Sequence, residues 1–241
     1  MTQRLIDLRA MIEFYDENED AREHSNAVKM LAHEEFAIAL FCHYMKADGR
    51  TAERIPGSCL PVTGKTGKRL DAWVKVEDPV HGPVFYQTEV KSASFHGYRS
   101  GKAIPCDSEP SELQKRMRKE FDACWNKETG RFNDLGLDKV LHKMRRKELG
   151  PKGEQAEIRP LACLWAPMHP EWNMTSSAPF FKVDGVKDAE EFGSVWIFSA
   201  SACLRQYRHN DIEELVLDLP KLAKTQKFFD GIYRRPEEKG A

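Results

Sequence analysis

A mixed α/β domain, with a mixed central β-sheet flanked by helices, is the fold class that the sequence predicts. Three observations carry this expectation. Two segments, 69–77 and 84–91, alternate apolar and polar residues around a turn rich in proline and glycine, as a β-hairpin requires. Apolar residues recur at helical spacing both before and after that hairpin. Two later apolar runs are short enough to be buried strands. The resulting order of helix, hairpin, helices, strand, strand, helix suits a sheet covered by helices.

Residues 1–18 place Leu5, Leu8, Ile12 and Tyr15 at helix-like spacing and run into the acidic stretch Asp16 to Asp20. The strongest early helix spans 25–46, with Ser25 or Asn26 at its N-cap. Gly49, Pro56 and Gly57 then break the chain. In the first hairpin strand Leu70, Ala72, Val74 and Val76 share one face, and Asp71, Trp73 and Lys75 the other. In the second, Val84, Tyr86, Thr88 and Val90 oppose Phe85, Gln87, Glu89 and Lys91. Residues 78–83, Asp-Pro-Val-His-Gly-Pro, form the turn. A helix over 110–128 has Leu113, Met117, Phe121, Cys124 and Trp125 as its apolar stripe. A second, over 134–149, stops at Gly150-Pro151. Residues 158–166 and 194–200 read as strands, and 210–218 as a last helix before Pro220 and a charged tail.

These elements divide the chain into an N-terminal helical extension (1–24), an α/β domain (25–220) and a C-terminal tail (221–241), with 108–150 as a candidate helical insertion. At 241 residues the chain is long enough for one sizeable domain. Its 41% hydrophobic and 31% charged residues are those expected of an ordinary soluble globular protein. The six cysteines are scattered without a C-x-x-C pair, and several lie in apolar runs such as 161–165. That pattern implies reduced thiols and a cytoplasmic protein, not a disulfide framework or a zinc site. No signal peptide or membrane-spanning segment is expected.

Hairpin partners have residue numbers that sum to a constant. A turn centred near residues 80 and 81 therefore sets Asp71 opposite residues 89–91. The two-residue period puts Glu89 and Lys91 on one face of their strand. Two carboxylates this close repel unless protonated or bridged by a cation, and all-oxygen ligands suit Mg²⁺ or Mn²⁺. Such an ion can bind a phosphate oxygen and activate water, with Lys91 positioning the water and offsetting charge on the phosphate. A third acid, Glu34, has Met30, Leu31, Ala37, Ile38, Phe41 and Met45 as helical neighbours and so lies in an apolar stripe. Glu35, beside the stripe, is its alternative.

Leu70-Asp71 followed by Glu89-Val90-Lys91, with a helical glutamate before them, resembles the PD-(D/E)XK nuclease superfamily. The resemblance covers about residues 25–130, with Leu70 standing where the family name has proline. It implies a restriction-endonuclease-like fold and a DNA endonuclease of restriction, phage defence or DNA processing. It makes Asp71, Glu89 and Lys91 catalytic and Glu34, Asp71 and Glu89 the ligands of Mg²⁺ or Mn²⁺. The alternative is an inactive nuclease-like module that binds nucleic acid or recruits a partner.

The basic runs 115–119 and 143–147, and Arg99 in the loop after the second strand, invite phosphate contact through Lys115, Arg116 and Arg99. Each basic run equally fits the solvated face of an amphipathic helix. Cutting both strands of a duplex commonly takes two sites, so a homodimer or a larger assembly with a partner protein is expected. Four patterns are set aside. Gly64-Lys65-Thr66 lacks the upstream glycine of a phosphate loop and precedes a strand. His33-Glu34 lacks a second histidine four residues on. Glu237-Glu238-Lys239 is a solvated run in the tail, and His169 and His209 show no metal-ligand spacing.

Overall fold

The computed structural model of the chain describes residues 3–17, 26–55, 70–80, 82–91, 108–132, 141, 144, 156–165, 167–171, 179–189, 192–219 and 233–234. In chain order the elements are β1 (Gln3–Asp7), α1 (Leu8–Glu17), α2 (Asn26–Ala47), β2 (Thr51–Arg54), β3 (Ala72–Asp78), β4 (Gly82–Lys91), α3 (Pro110–Cys124), β5 (Trp125–Asn126) and β6 (Arg131–Phe132). They continue with β7 (Glu157–Leu164), β8 (Phe180–Asp184), β9 (Ser194–Ser199), α4 (Ala200–His209), β10 (Glu214–Asp218) and β11 (Tyr233–Arg234).

The architecture is mixed α/β. Its central sheet has six strands in the order β2-β3-β4-β7-β9-β8. β4, β7 and β9 run parallel; β2, β3 and β8 join antiparallel at the flanks. The sheet alternates side chains between two apolar cores. On one face Val74, Val76, Tyr86, Val90, Leu161, Cys163 and Phe198 pack with α1, α2, α4 and β10. On the other, Trp73, Phe85, Ala162, Leu164, Val195 and Ile197 pack with the C-terminal half of α3 and with Met168. Helix α2 is buried over much of its surface from Glu35 to Met45, as expected of a helix held between two layers. Its Phe41 ring meets Tyr86 and Phe198 edge-on at 5.6 and 5.3 Å. No helix among the described residues is long and apolar enough to cross a membrane.

The hairpin is formed with Ala72 opposite Thr88 and Asp78 opposite Gly82. Gly82 has φ +74°, a conformation that the return from the turn requires and a Cβ would strain. Four expectations need correction. The N-terminal segment opens as strand β1, not helix, and pairs with β10 and β11. The helix-like spacing of Leu5, Leu8 and Ile12 spans a strand–helix junction, and Ile6, Leu8, Met11 and Ile12 belong to the main core. The segment is therefore part of the domain's packing, and the tail contributes β11 to the same small sheet.

Residues 210–218 are not a last helix. Leu215 and Leu217 are buried while Val216 between them is exposed, the period of a strand, and β10 pairs with all of β1. The helix lies earlier: Ser199 ends β9, accepts a hydrogen bond from Ala202 N at 3.3 Å, and caps α4. Helix α3 stops at Cys124, so Trp125 leaves the stripe for a short hairpin in which its ring packs on Phe132 at 4.6 Å. Strands β2 and β8 were not expected, because each is a short flank defined by its neighbour's register. Of the expected 134–149 helix, Leu141 and Met144 are described and buried; the rest, with the Gly150-Pro151 stop, lies outside the described residues.

Candidate functional site

The C-terminal ends of β4 and β7 meet the start of β3, and the expected chemistry gathers there. Extending the β3–β4 ladder by one residue sets Asp71 beside Glu89, the nearest of the three positions that the turn allowed. Asp71 itself occupies a bend just before β3. The pleat breaks at this point: Leu70 joins the core that holds Trp73, although strict alternation would send it to the opposite face. The bend turns the Asp71 carboxylate toward the open end of the ladder, where its Oδ2 accepts a hydrogen bond from Val90 N at 2.7 Å. Arg54 Nη2 of β2 donates to the Asp71 carbonyl at 3.3 Å and fixes the bend from the other side.

Glu89 and Lys91 share the face of β4 that also carries Phe85 and Gln87. Glu89 is 2% exposed, and Lys91 Nζ donates to its Oε1 at 3.2 Å. Lys91 is 30% exposed, so its ammonium reaches solvent while neutralising a buried carboxylate. An ionised carboxylate at that depth is sustained only by cations or donors close to it. The strand end is pinned on its far side by Trp165 N, which donates to the Lys91 carbonyl at 3.2 Å.

Trp165 also ties the site to α2, since Phe36 stacks on its ring at 5.5 Å. The turn of α2 holding Glu34 and Glu35 is thus brought to the same end of the sheet. Burial reverses their expected order. Glu35 is 3% exposed and Glu34 only half-buried, because α2 is covered on more than the single stripe that its spacing implied. Of the two, Glu35 is the buried acid. Nearby, burial raises the Cys163 thiol well above its usual range, and the charges of Cys42 and Asp71 add to the shift.

Among the described residues no group of three or more His, Cys, Asp or Glu side chains is placed to hold a metal ion. The expected trio of Glu34, Asp71 and Glu89 is not gathered as one ligand set. Asp71 and Glu89 stand at opposite backbone positions at the end of the ladder, their carboxylates accepting from Val90 N and Lys91 Nζ respectively. Lys115 is exposed on α3 and Arg116 half-buried there; Arg99 lies outside the described residues. His169 is buried against the Phe181 ring at 4.8 Å, with Nδ1 accepting from Glu171 N at 2.9 Å. Sequence reasoning passed over Glu120, which is buried on α3 at helical spacing from Met117, so periodicity could have found it. Arg54 carried no sequence signal, because its contact with Asp71 depends on β2 pairing with β3. The chain matches no family model, no curated protein and no solved structure.

Proposed function

We propose that this chain is a divalent-metal-dependent nuclease with a restriction-endonuclease-like fold, hydrolysing phosphodiester bonds of nucleic acid, DNA in preference to RNA. The observation that carries the reading is the meeting of Asp71, Glu89 and Lys91 at one sheet end, through ladder register and a bend. When bound, Mg²⁺ or Mn²⁺ supplies Lewis acidity at the scissile phosphate and lowers the pKa of water. Asp71 and Glu89 are the residues that hold it, with Glu35 supporting from α2. Lys91 orients the attacking water and offsets the negative charge growing on the phosphate oxygens. Burial of Glu89 keeps its charge effective by limiting the water that screens it. Lys115 and Arg116 on α3 contact the substrate backbone, and a second copy of the chain supplies the cut on the opposite strand.

A second reading is favoured by one feature: Asp71 and Glu89 already have partners of their own, Val90 N and Lys91. On that reading the site is architectural and the chain binds nucleic acid without cutting it. Both are tested by incubating purified protein with supercoiled, linear and single-stranded DNA and with RNA, in Mg²⁺ or Mn²⁺ and in EDTA. The nuclease reading expects cleavage that EDTA abolishes, lost in Asp71→Asn and Lys91→Ala proteins that remain folded by circular dichroism. Binding that survives EDTA, with no substrate cut, selects the architectural reading.

A further inference from the structure

A cavity of about 280 Å³ lies between the start of α3 and the end of α4, apart from the acidic site. Its lining includes Arg205, Arg208 and His209 from α4, Asp211 just beyond it, and Glu109 and Pro110 from α3. Arg205, Arg208 and His209 are spaced i, i+3 and i+4, so one helical face delivers all three to the cavity. Arg205 is only 3% exposed, and its Nη1 donates to Ser201 Oγ at 2.8 Å, which holds the guanidinium in one orientation. Arg208 makes a loose 3.7 Å contact with Glu213, whose carboxylate is largely in solvent. Such a pair is weak and exchanges readily for a better anion.

The opposite wall is the N-terminus of α3, a helix of 15 residues. Pro110 stands in its first turn, and the N-cap residue Glu109 makes no side-chain capping bond. Backbone N–H groups of that turn and the positive end of the helix dipole add to the guanidinium groups as an anion site. The wall is not uniformly positive, because Glu109 and Asp211 contribute carboxylates at the rim. A lone inorganic anion leaves those carboxylates unused. A phosphate ester that also carries hydroxyl donors uses both halves of the lining. The volume falls just below the range of drug-sized ligands, about 300–1,000 Å³, which suits a single nucleotide rather than a length of duplex.

We propose that this cavity binds a nucleoside monophosphate unit. Arg205, Arg208 and the α3 N-terminus hold the phosphate, and Asp211 or Glu109 holds sugar hydroxyls. The unit comes either from a free nucleotide or from the phosphorylated end of a nucleic-acid strand. The inference does not rest on the metal site, so it is tested in EDTA with the full chain carrying Asp71→Asn. Calorimetric titration compares inorganic phosphate, AMP, adenosine, and an oligonucleotide with and without a terminal 5′-phosphate.

AMP or the phosphorylated oligonucleotide should bind, and which of them does identifies the source. Adenosine and the unphosphorylated strand should bind at least tenfold more weakly. Arg208→Gln, checked for folding by circular dichroism, should weaken binding about tenfold. Arg205→Lys keeps the charge, loses the planar fork, and should weaken it as well. The proposal is overturned if no phosphate ester binds at millimolar concentration or if inorganic phosphate binds as well as AMP. It is equally overturned if Arg208→Gln leaves binding unchanged.

Discussion

The central hairpin carries the same two residue types, two positions apart, at each end. Near the turn, Lys75 and Glu77 of β3 pair at 2.8 Å with side chains 26% and 48% exposed. At the other end, Glu89 and Lys91 of β4 pair at 3.2 Å, with the lysine similarly exposed and the glutamate at 2%. In both triplets the middle residue is valine, with the charged residues in opposite order, Lys75-Val76-Glu77 and Glu89-Val90-Lys91. The difference lies in what covers the carboxylate. Lys75 and Glu77 lie between the edge strand β2 and β4 with both side chains open to solvent, whereas the Glu89 side chain, on β4 beside β7, is buried. A solvated pair contributes about 0–1 kcal/mol. A buried carboxylate costs several kcal/mol of desolvation before any partner repays it. The hairpin therefore has one solvated ion pair and one whose carboxylate is buried.

The largest expected contrast is in activity. Lys91→Ala and Glu89→Gln should lower metal-dependent cleavage by at least about a hundredfold, the scale of losing a group that meets transition-state charge. Lys75→Ala and Glu77→Gln should stay within about twofold of the parent, as expected of surface positions. A matched loss at both ends would erase the distinction between them. Stability comes next. In metal-free buffer Lys91→Ala leaves Glu89 without its ammonium and should cost about 1–3 kcal/mol by urea denaturation. Lys75→Ala should cost no more than about 0.5 kcal/mol. Equal midpoints for the two variants would show that burial of Glu89 has no energetic consequence.

The smallest effect concerns α2, which backs the buried end. Burial lowers the His43 pKa, Lys46 adds to the shift, and the imidazole lies edge-on to Tyr207 at 5.7 Å. Folding therefore favours the neutral ring. Its contribution is present above the ordinary histidine value, about 6.5, and is lost as pH falls through the lowered one. Melting temperatures measured from pH 7.5 down to 5 should decline less steeply in His43→Gln than in the parent. An identical slope would remove His43 from the acid response.

Much of this arrangement was legible in the sequence. Alternation located β3 and β4, and the proline–glycine turn set Asp71 against residues 89–91, with Glu89 the partner found. The bend at Asp71 was not legible. Strict alternation puts Asp71 on the face of Trp73, whereas Leu70 reverses sides and the carboxylate closes the ladder at Val90. The choice between Glu34 and Glu35 was also out of reach, because a helix covered by two layers has no single buried stripe. β1, α4 and β10 were misread at strand–helix junctions, where apolar residues from two periodicities run together. Strands β2 and β8 depend on neighbours distant in the chain, and local pattern carries no record of them.

The central claim is that Asp71 and Glu89 form one cation site. Electron paramagnetic resonance of Mn²⁺, titrated into the parent and into Asp71→Asn and Glu89→Gln proteins, reads free ion directly. The account expects the parent to remove free Mn²⁺ with saturable affinity and either substitution to weaken that uptake at least tenfold. Uptake unchanged in both variants, or absent from the parent even with substrate strand present, would contradict it.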